Sequence, residues 1–389
     1  MTRAILTLNA GSSTLKVALF PEVGEVPLAT GLVDRIGPEA VLTLVDSHRT
    51  PIPAPGDLTD HSGAIDAVIG GFRARWPGLE LLAIGHRVVH GGADRKTPAK
   101  VDAPLLAALE ALAPFAPLHQ PHNLAGIRAA MAAFPGVPQV ACFDTAFHRD
   151  QPFVRDTYAL PRAFHDEGVR RYGFHGLSYA FIAGELARTA PKLAEGRVVV
   201  AHLGSGASMC AISGGRSVAS TMGFSALDGL PMGTRSGQID PGVLLYLMQQ
   251  KNMSATEISD LLYKKSGLLG LSGLSNDMRR LEAAGTPEAA AAIDHFVYRC
   301  QREIGSLAAA MAGIDALVFT GGIGENARQV RLAICDRLAW MGIEVDPARN
   351  AANERLISPD GARTQVLVIP TNEELVIARA AAAIARRDR

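Results

Sequence analysis

The chain has 389 residues, 48% of them hydrophobic and 20% charged, with 38 basic and 38 acidic side chains and a formal net charge of zero. That length exceeds what one core usually fills, so two domains are expected, and the ordinary globular composition excludes disorder for the bulk of the chain. The charge balance and the lack of a basic stripe exclude nucleic acid as a partner, and the absence of any apolar stretch near ~20 residues excludes a membrane span.

The first elements read as strands, AILTLNA, then TLKVALF, then VLTLVDS after the turn-rich DRIGPEA, which together make a β meander. Because the chain runs into this pattern within a few residues, without a charged and then apolar leader, a cytoplasmic protein is expected. From DHSGAIDAVIGGFRARWPG onward, helical spacing alternates with short strands such as LLAIGHRVVHGG and VPQVACFDTAF, the pattern of mixed α/β architecture. The first domain is expected to close around Asp144. RVVVAHLGSGASMCAISGGRSVAS then repeats the strand-turn-strand device of the opening, with GSGAS standing where GSSTLK stood. ALVFTGGIGENARQVRLAICDRLAW reads as a buried strand, a glycine turn and an amphipathic helix. TNEELVIARAAAAIARR reads as a terminal helix with Thr371 and Glu374 as its capping box. Cys142, Cys210, Cys300 and Cys335 form no C-x-x-C pair and read as small buried hydrophobes, with neither zinc nor redox chemistry suggested.

Glycine turns flanked by hydroxyl residues point successive backbone N–H groups into one concavity, which suits phosphate oxygens. In the opening turn, Asn9, Ser12 and Lys16 add a carbonyl, a hydroxyl and an ammonium, as magnesium-bound phosphates require; the alternative is a tight hairpin with a solvated lysine. A second turn, Gly204-Ser205-Gly206, follows a strand that ends near His202, and a third cluster, residues 321–324, follows ALVF. Three such turns suggest one divided nucleotide site, and none has the Walker spacing. Residues 322–327 also fit G-x-G-x-x-G/A, the mark of an NAD-linked oxidoreductase, although that fingerprint normally opens its domain. Arg87, Asp144, His175 and Arg235 lie in turn-rich segments. Each has a structural alternative as an ion-pair partner, a strand-end cap or a core histidine, but together they match phosphoryl transfer, where positioning and charge stabilisation do most of the work.

The segments LTLNAGSSTLK, GHRVVHGG, FAPLHQPHN, CFDTAFH, RRYGFHGLS, AHLGSGAS, GLPMGTRSG, SNDMRR, FTGGIGENA and PTNEE, in this order, resemble the acetate kinases from end to end. The resemblance implies an α/β, two-domain actin/hexokinase-like (ribonuclease H-like) fold, shared with the heat-shock chaperones, with ATP in an interdomain cleft that closes to assemble the site. Its domains would be 1–145 plus 376–389, and 146–375 with a homodimer interface. It implies reversible transfer of the γ-phosphoryl group of ATP to acetate, giving acetyl phosphate and ADP, with Mg2+ (Mn2+ as a substitute). By motif, Asn9 and Glu373 would sit at the metal. Ser12, Lys16, His202, Leu203, Gly204, Ser205, Gly206, Asp277, Met278, Arg279, Gly322, Ile323, Gly324, Glu325 and Asn326 would contact ATP. Arg87 and Arg235 would grip the carboxylate and the migrating phosphoryl group, His175 would stabilise the transition state, and Val89, Leu118 and Phe174 would enclose the methyl end. The resemblance assigns Asp144 an acid/base role. A carboxylate like that of Glu, with a pKa near 4.3, is already an ionised nucleophile at neutral pH, so Asp144 is expected instead to orient a magnesium-bound water or the metal. A propionate kinase is the alternative within the family; a nucleotide-gated chaperone or filament module of the superfamily would not need Arg87, His175 and Arg235.

Three positions depart from the family pattern. Ser205 stands where asparagine is usual, and its shorter side chain weakens the case for direct phosphate contact. Ala226, with Asp228, stands in a segment that often carries proline, leucine and glutamate; Ala226 leaves more room at the acyl pocket, and a single methylene is worth about 1–3 kcal/mol of discrimination, so appreciable use of propionate is expected. Gln238 replaces the more usual acid.

Overall fold

The computed structural model describes residues 2–387, which form two compact α/β units, each built on one sheet. Unit 1 comprises the chain up to residue 149 and again from residue 372; unit 2 comprises residues 150–371.

The unit 1 sheet has the order β4-β3-β2-β1-β5-β7-β6. Its strands are β1 (Thr2–Ala10), β2 (Thr14–Pro21), β3 (Ala29–Asp34), β4 (Val41–Asp46), β5 (Leu79–Val88), β6 (Ala99–Lys100) and β7 (Gln139–Phe143). The first four are antiparallel, as the meander requires, while β5 runs parallel to β1 and β7 parallel to β5. Of this sheet's strands, sequence reading passes over β3 and the two-residue β6; β3 shows why. It is short and carries Gly31, where a Cβ would stand 2.9 Å from Val17 Cγ2, so glycine is what lets β2, β3 and β4 close up. The helix His61–Arg75 starts on Asp60, whose side chain accepts from the Gly63 N–H at 2.8 Å, and it buries Ile65, Val68 and Phe72 in the core of Leu6, Leu8 and Leu19. Fully burying a side chain such as Phe72 contributes roughly 1.5–3 kcal/mol.

The terminal helix Glu373–Arg387 lies on β5. Gly85 permits this, because a Cβ there would stand 3.3 Å from Ala381 Cβ and closer still to Ile377. The expected Thr371/Glu374 capping box does not form. Asn372 Oδ1 accepts from the Leu375 N–H at 3.0 Å instead, since the Thr371 hydroxyl is committed to Ser178 Oγ at 2.9 Å.

In unit 2 the sheet order is β10-β9-β8-β11-β12, from β8 (Arg197–Leu203), β9 (Ala207–Ser213), β10 (Arg216–Ser220), β11 (Ala316–Thr320) and β12 (Gln365–Val368). β11 lies between β8 and β12, parallel to both, and all five of its residues are buried, which is why ALVFT shows no alternation. The glycine turn expected after β11 is itself a short helix, Gly321–Asn326, followed by the helix Arg328–Asp336. Gly321 makes the corner at φ 77°, where a Cβ would lie 2.8 Å from the Leu203 carbonyl oxygen.

All four cysteines are buried, and burial pushes the thiols of Cys142, Cys210 and Cys335 up to about 12, so they behave as the hydrophobes expected. Among the described residues no helix is long and apolar enough to cross a membrane.

Two buried histidines are expected to make unit 1 acid-sensitive. Burial lowers His86, whose Nε2 lies 2.7 Å from Gln139 Oε1, to about 4, and lowers His90 to about 3, with Arg149 adding to the second shift. Both rings are neutral when folded and titrate near 6.5 when unfolded, so their full contribution is present above pH 6.5 and is lost as pH falls toward 4. The expected loss at pH 5 is about 2 kcal/mol per histidine. Urea unfolding at pH 7.5 and 5, followed by Trp76 fluorescence in a Trp340→Phe background, measures it. His86→Gln is expected to flatten the dependence by about one proton; an unchanged slope refutes the assignment.

Candidate active site

In unit 1, Gly85 and Arg87 share one face of β5, so the helix that packs on Gly85 brings its first residue, Glu373, beside Arg87. Asp144 continues from β7, with its N–H donating to the Val88 carbonyl at 3.0 Å. Arg87 thus clasps Asp144 in bidentate fashion: Nη2 donates to Oδ2 at 2.6 Å and Nε to Oδ1 at 3.0 Å, with Glu373 Oε2 3.7 Å from Nε. Burial opposes the guanidinium charge, but Asp144, Glu373 and Glu374 outweigh it and hold the pKa above the ordinary arginine value. Asp144 is 1% exposed and Arg87 20%, and Arg87 Nη1 takes no hydrogen bond among the described residues.

The opening turn closes through the Gly11 N–H and the Thr14 carbonyl at 2.8 Å, while His61 Nε2 lies 2.9 Å from the Gly11 carbonyl oxygen. Asn9 and Lys16 are opposite each other in the β1–β2 ladder and so project on one side; Asn9 is half-buried, while Lys16 and Ser12 are exposed. Asn123 joins this hairpin to the expected acyl residues: its Nδ2 donates to the Ala10 carbonyl at 2.7 Å and its Oδ1 accepts from the Val89 N–H at 2.9 Å. Val89 is buried and Leu118 half-buried. No group of three or more His, Cys, Asp or Glu among the described residues could cage a metal. Asn9 and Glu373 are oxygen donors of the kind that suits magnesium, which is held largely by waters and substrate phosphates rather than by a protein cage.

In unit 2 a cavity of about 560 Å3 gathers Gly204 and Ser205 from the β8–β9 turn, Asp277, Met278 and Arg279, and Gly322, Ile323 and Asn326. Asp277 caps the helix Met278–Ala284, accepting from the Arg279 N–H at 2.9 Å, and its other oxygen takes Arg279 Nη2 at 2.6 Å. Asn276, Glu282 and Ala327 also line the cavity; Ala327 closes the glycine fingerprint, whereas Asn276 and Glu282 were not expected there. Glu282 stands four residues after Met278, a helical spacing that could have revealed it.

Other expected nucleotide residues face elsewhere. Leu203 is buried in β8 and Gly324 is buried in its short helix. Glu325 turns inward, its Oε1 accepting from the N–H groups of Gly321 at 2.8 Å and Thr371 at 3.1 Å. Arg331, also unread, is fully buried and pins the end of the same helix: Nη1 donates to the carbonyls of Gly324 and Glu325 at 2.9 Å each, and Nη2 to Asn353 Oδ1 at 2.7 Å. Burial lowers its pKa to about 10. An arginine on an amphipathic helix reads as a surface residue, so only packing exposes this role.

His175, Gly206 and Arg235 meet. A Cβ on Gly206 would stand 3.4 Å from His175 Nε2 and 3.9 Å from Arg235 Nη1. The His202 ring stacks on His175 at 4.3 Å between centroids, and Phe174 beside them is buried. Arg235 Nη1 donates to the Ala226 carbonyl at 2.9 Å and contacts Met232 Sδ at 3.5 Å.

The departures acquire contacts. The Ser205 side chain is exposed, while its carbonyl accepts from the Gly233 N–H at 3.1 Å, so the turn is tied to the 229–237 loop whatever the side chain. Ala226 holds Arg235 through its backbone carbonyl, a contact proline would also supply. Asp228 pairs with Arg171 at 3.4 Å. Gln238 Oε1 accepts from Arg299 Nη2 at 2.9 Å, and Arg299 already has Glu303 at 3.4 Å, so a neutral amide suffices there.

Residues 4–379 match the sequence profile of the Acetokinase family. The chain is 55% identical to the acetate kinase of Methylocella silvestris, with 97% of each chain covered, and 53% identical to that of Rhizobium meliloti, again with 97% of each covered. Among solved structures it is similar to the acetate kinase of Porphyromonas gingivalis, with TM-score 0.88 and 37% identity over 98% of this chain and 99% of that one. It is likewise similar to a propionate kinase of Francisella tularensis, with TM-score 0.92 and 37% identity over 98% and 100%.

Proposed function

The chain belongs to the acetokinase family, and on that premise we propose that it transfers the γ-phosphoryl group of ATP to acetate, reversibly, giving acetyl phosphate and ADP. The observation that carries the reading is the unit 2 cavity, where three segments distant in sequence supply glycines, an asparagine and a capped helix start to one nucleotide-sized space.

A carboxylate oxygen of acetate attacks the γ-phosphorus, the bond to the β–γ bridging oxygen breaks, and ADP leaves with the electron pair; no proton changes hands. Arg87 offers its Nη1 edge to the acetate carboxylate. Asp144, locked to the other edge, orients Arg87 rather than acting as a base. His175 and Arg235 stabilise the oxygens of the phosphoryl group in flight beside the Gly206 turn. Asn9 and Glu373 would hold magnesium, which would supply charge neutralisation of the phosphates.

Trapping acyl phosphate with hydroxylamine, with magnesium-ATP and acetate, propionate or butyrate in parallel, tests the reading. Acetate is expected to react fastest, with propionate efficiency within about a hundredfold, as a difference of one methylene allows. No hydroxamate from any acid overturns the assignment.

The same reading takes the protein as a homodimer joined through unit 2. The helix Pro241–Gln249 buries none of its residues, and Val243, Leu245, Tyr246 and Met248 are each 44–51% exposed, an apolar face suited to a second copy. Sedimentation at the mass of one chain would refute it.

A further inference from the structure

We propose that Tyr179 and Ser208 are positioning residues that set the tautomer of His175: a directed chain from the Tyr179 hydroxyl to Ser208 Oγ to His175 Nδ1 keeps the ring proton on Nε2. The inference rests on the reading that the 204–206 turn holds phosphate.

His175 heads the helix Gly176–Thr189 with a left-handed backbone, φ 58°, and Tyr179 follows one turn later, so both project from one side. Ser208 enters from β9, just past the turn. His175 Nδ1 lies 2.8 Å from Ser208 Oγ, the Tyr179 hydroxyl bonds the same oxygen, and Tyr179 and Ser208 are both wholly buried. The far edge of the imidazole faces the turn, with Nε2 3.4 Å from the point where a Gly206 Cβ would stand.

Each hydroxyl has one proton to give, and Ser208 Oγ has a partner on each side. If the serine proton goes to Tyr179, Nδ1 must donate to serine, and a neutral ring then turns the Nε2 lone pair toward phosphate oxygens, acceptor against acceptor. If tyrosine donates to serine and serine to Nδ1, Nε2 presents an N–H to those oxygens. The second arrangement is the useful one, and it delivers a donor without a second full charge beside Arg235. The titratable and charged groups around the ring within unit 2 include His202 from β8, Arg235 from the 229–237 loop and Tyr179 on its own helix.

Histidine-selective 15N NMR reads the tautomer directly, with a His175→Asn spectrum identifying the resonances. The wild type is expected to show unprotonated Nδ1 and protonated Nε2 at pH 7.5. Tyr179→Phe removes one hydroxyl and is expected to populate the Nδ1–H form, to lower kcat about tenfold with KM for ATP and acetate unchanged, and to displace the acidic limb of the kcat–pH profile. Ser208→Ala is expected to do the same, and Ser208→Thr, which keeps the hydroxyl, to restore both readouts. A wild-type ring protonated on Nδ1, or a Tyr179→Phe enzyme with unchanged tautomer and kcat, overturns the proposal. If the wild type forms no acyl phosphate, the kinase reading fails, while the 15N spectra still decide the tautomer.

Discussion

Arg87→Ala is expected to lower kcat/KM for acetate by about a thousandfold, equivalent to about 4 kcal/mol, and to destabilise unit 1 by about 3 kcal/mol. The two losses have different origins. On the proposed reading, catalysis loses the guanidinium edge that would meet the acetate carboxylate, whereas stability suffers because Asp144, 1% exposed, stays behind as a carboxylate without its bidentate partner. The double variant Arg87→Ala/Asp144→Asn replaces that stranded charge with a neutral amide. It is expected to regain most of the stability and none of the activity. Hydroxamate kinetics and urea unfolding on the same preparations separate the effects. Asp144→Asn alone distinguishes the roles considered for that residue: as the anchor of Arg87 it should weaken acetate KM as well as kcat, while an orienter of metal or water should lose kcat with acetate KM intact. Near wild-type turnover at saturating magnesium would refute every one of them, and a double variant as unstable as Arg87→Ala would refute the stranded-charge account.

Gly267→Ala is expected to cut kcat about a hundredfold from outside the site. Gly267 sits at φ 62°, and an added Cβ would stand 2.7 Å from the Arg235 carbonyl oxygen and within van der Waals overlap of the Met232 carbonyl oxygen. Those two residues close the turn that carries Arg235, since the Met232 N–H donates to the Arg235 carbonyl at 3.0 Å and the Leu268 N–H to the Met232 carbonyl at 2.8 Å. Backbone cannot rotate away as a side chain can, so the turn must shift and take the guanidinium with it. The same helix, Gly267–Ser272, ends on its own control: Gly273 has φ 63° but nothing within 4 Å of an added Cβ. Gly273→Ala therefore carries only the left-handed strain, roughly 1–2 kcal/mol, and is expected to leave kcat within about twofold. Equal kcat losses in the two variants would show that the strain, and not the collision with the Arg235 turn, is responsible.

Much of this molecule was legible in its residues alone, because the signals were local. Alternating and continuous apolar runs marked β1, β2, β4, β8 and β11, glycine clusters marked the corners, and the ordered motifs marked the family. Where local signals conflicted, reading failed: β3 was hidden by a glycine that its neighbours require, and the terminal cap passed from Thr371 to Asn372 because Ser178, far away in sequence, claims the threonine hydroxyl. The partners of the candidate site were beyond sequence reading for the same reason. Arg87 and Asp144 are 57 residues apart and meet only because β5 and β7 pair in parallel with Val88 opposite Phe143. Arg331 reads as a surface charge until packing buries it against the carbonyls of Gly324 and Glu325. The sequence by itself determined the family, most of the elements and the residue types offered for the chemistry, since periodicity and turn propensity act over a few residues. Strand register and helix packing act over tens to hundreds of residues, and so the tertiary structure alone decided which of those groups touch, which are locked in pairs, and which edge of each is left to act.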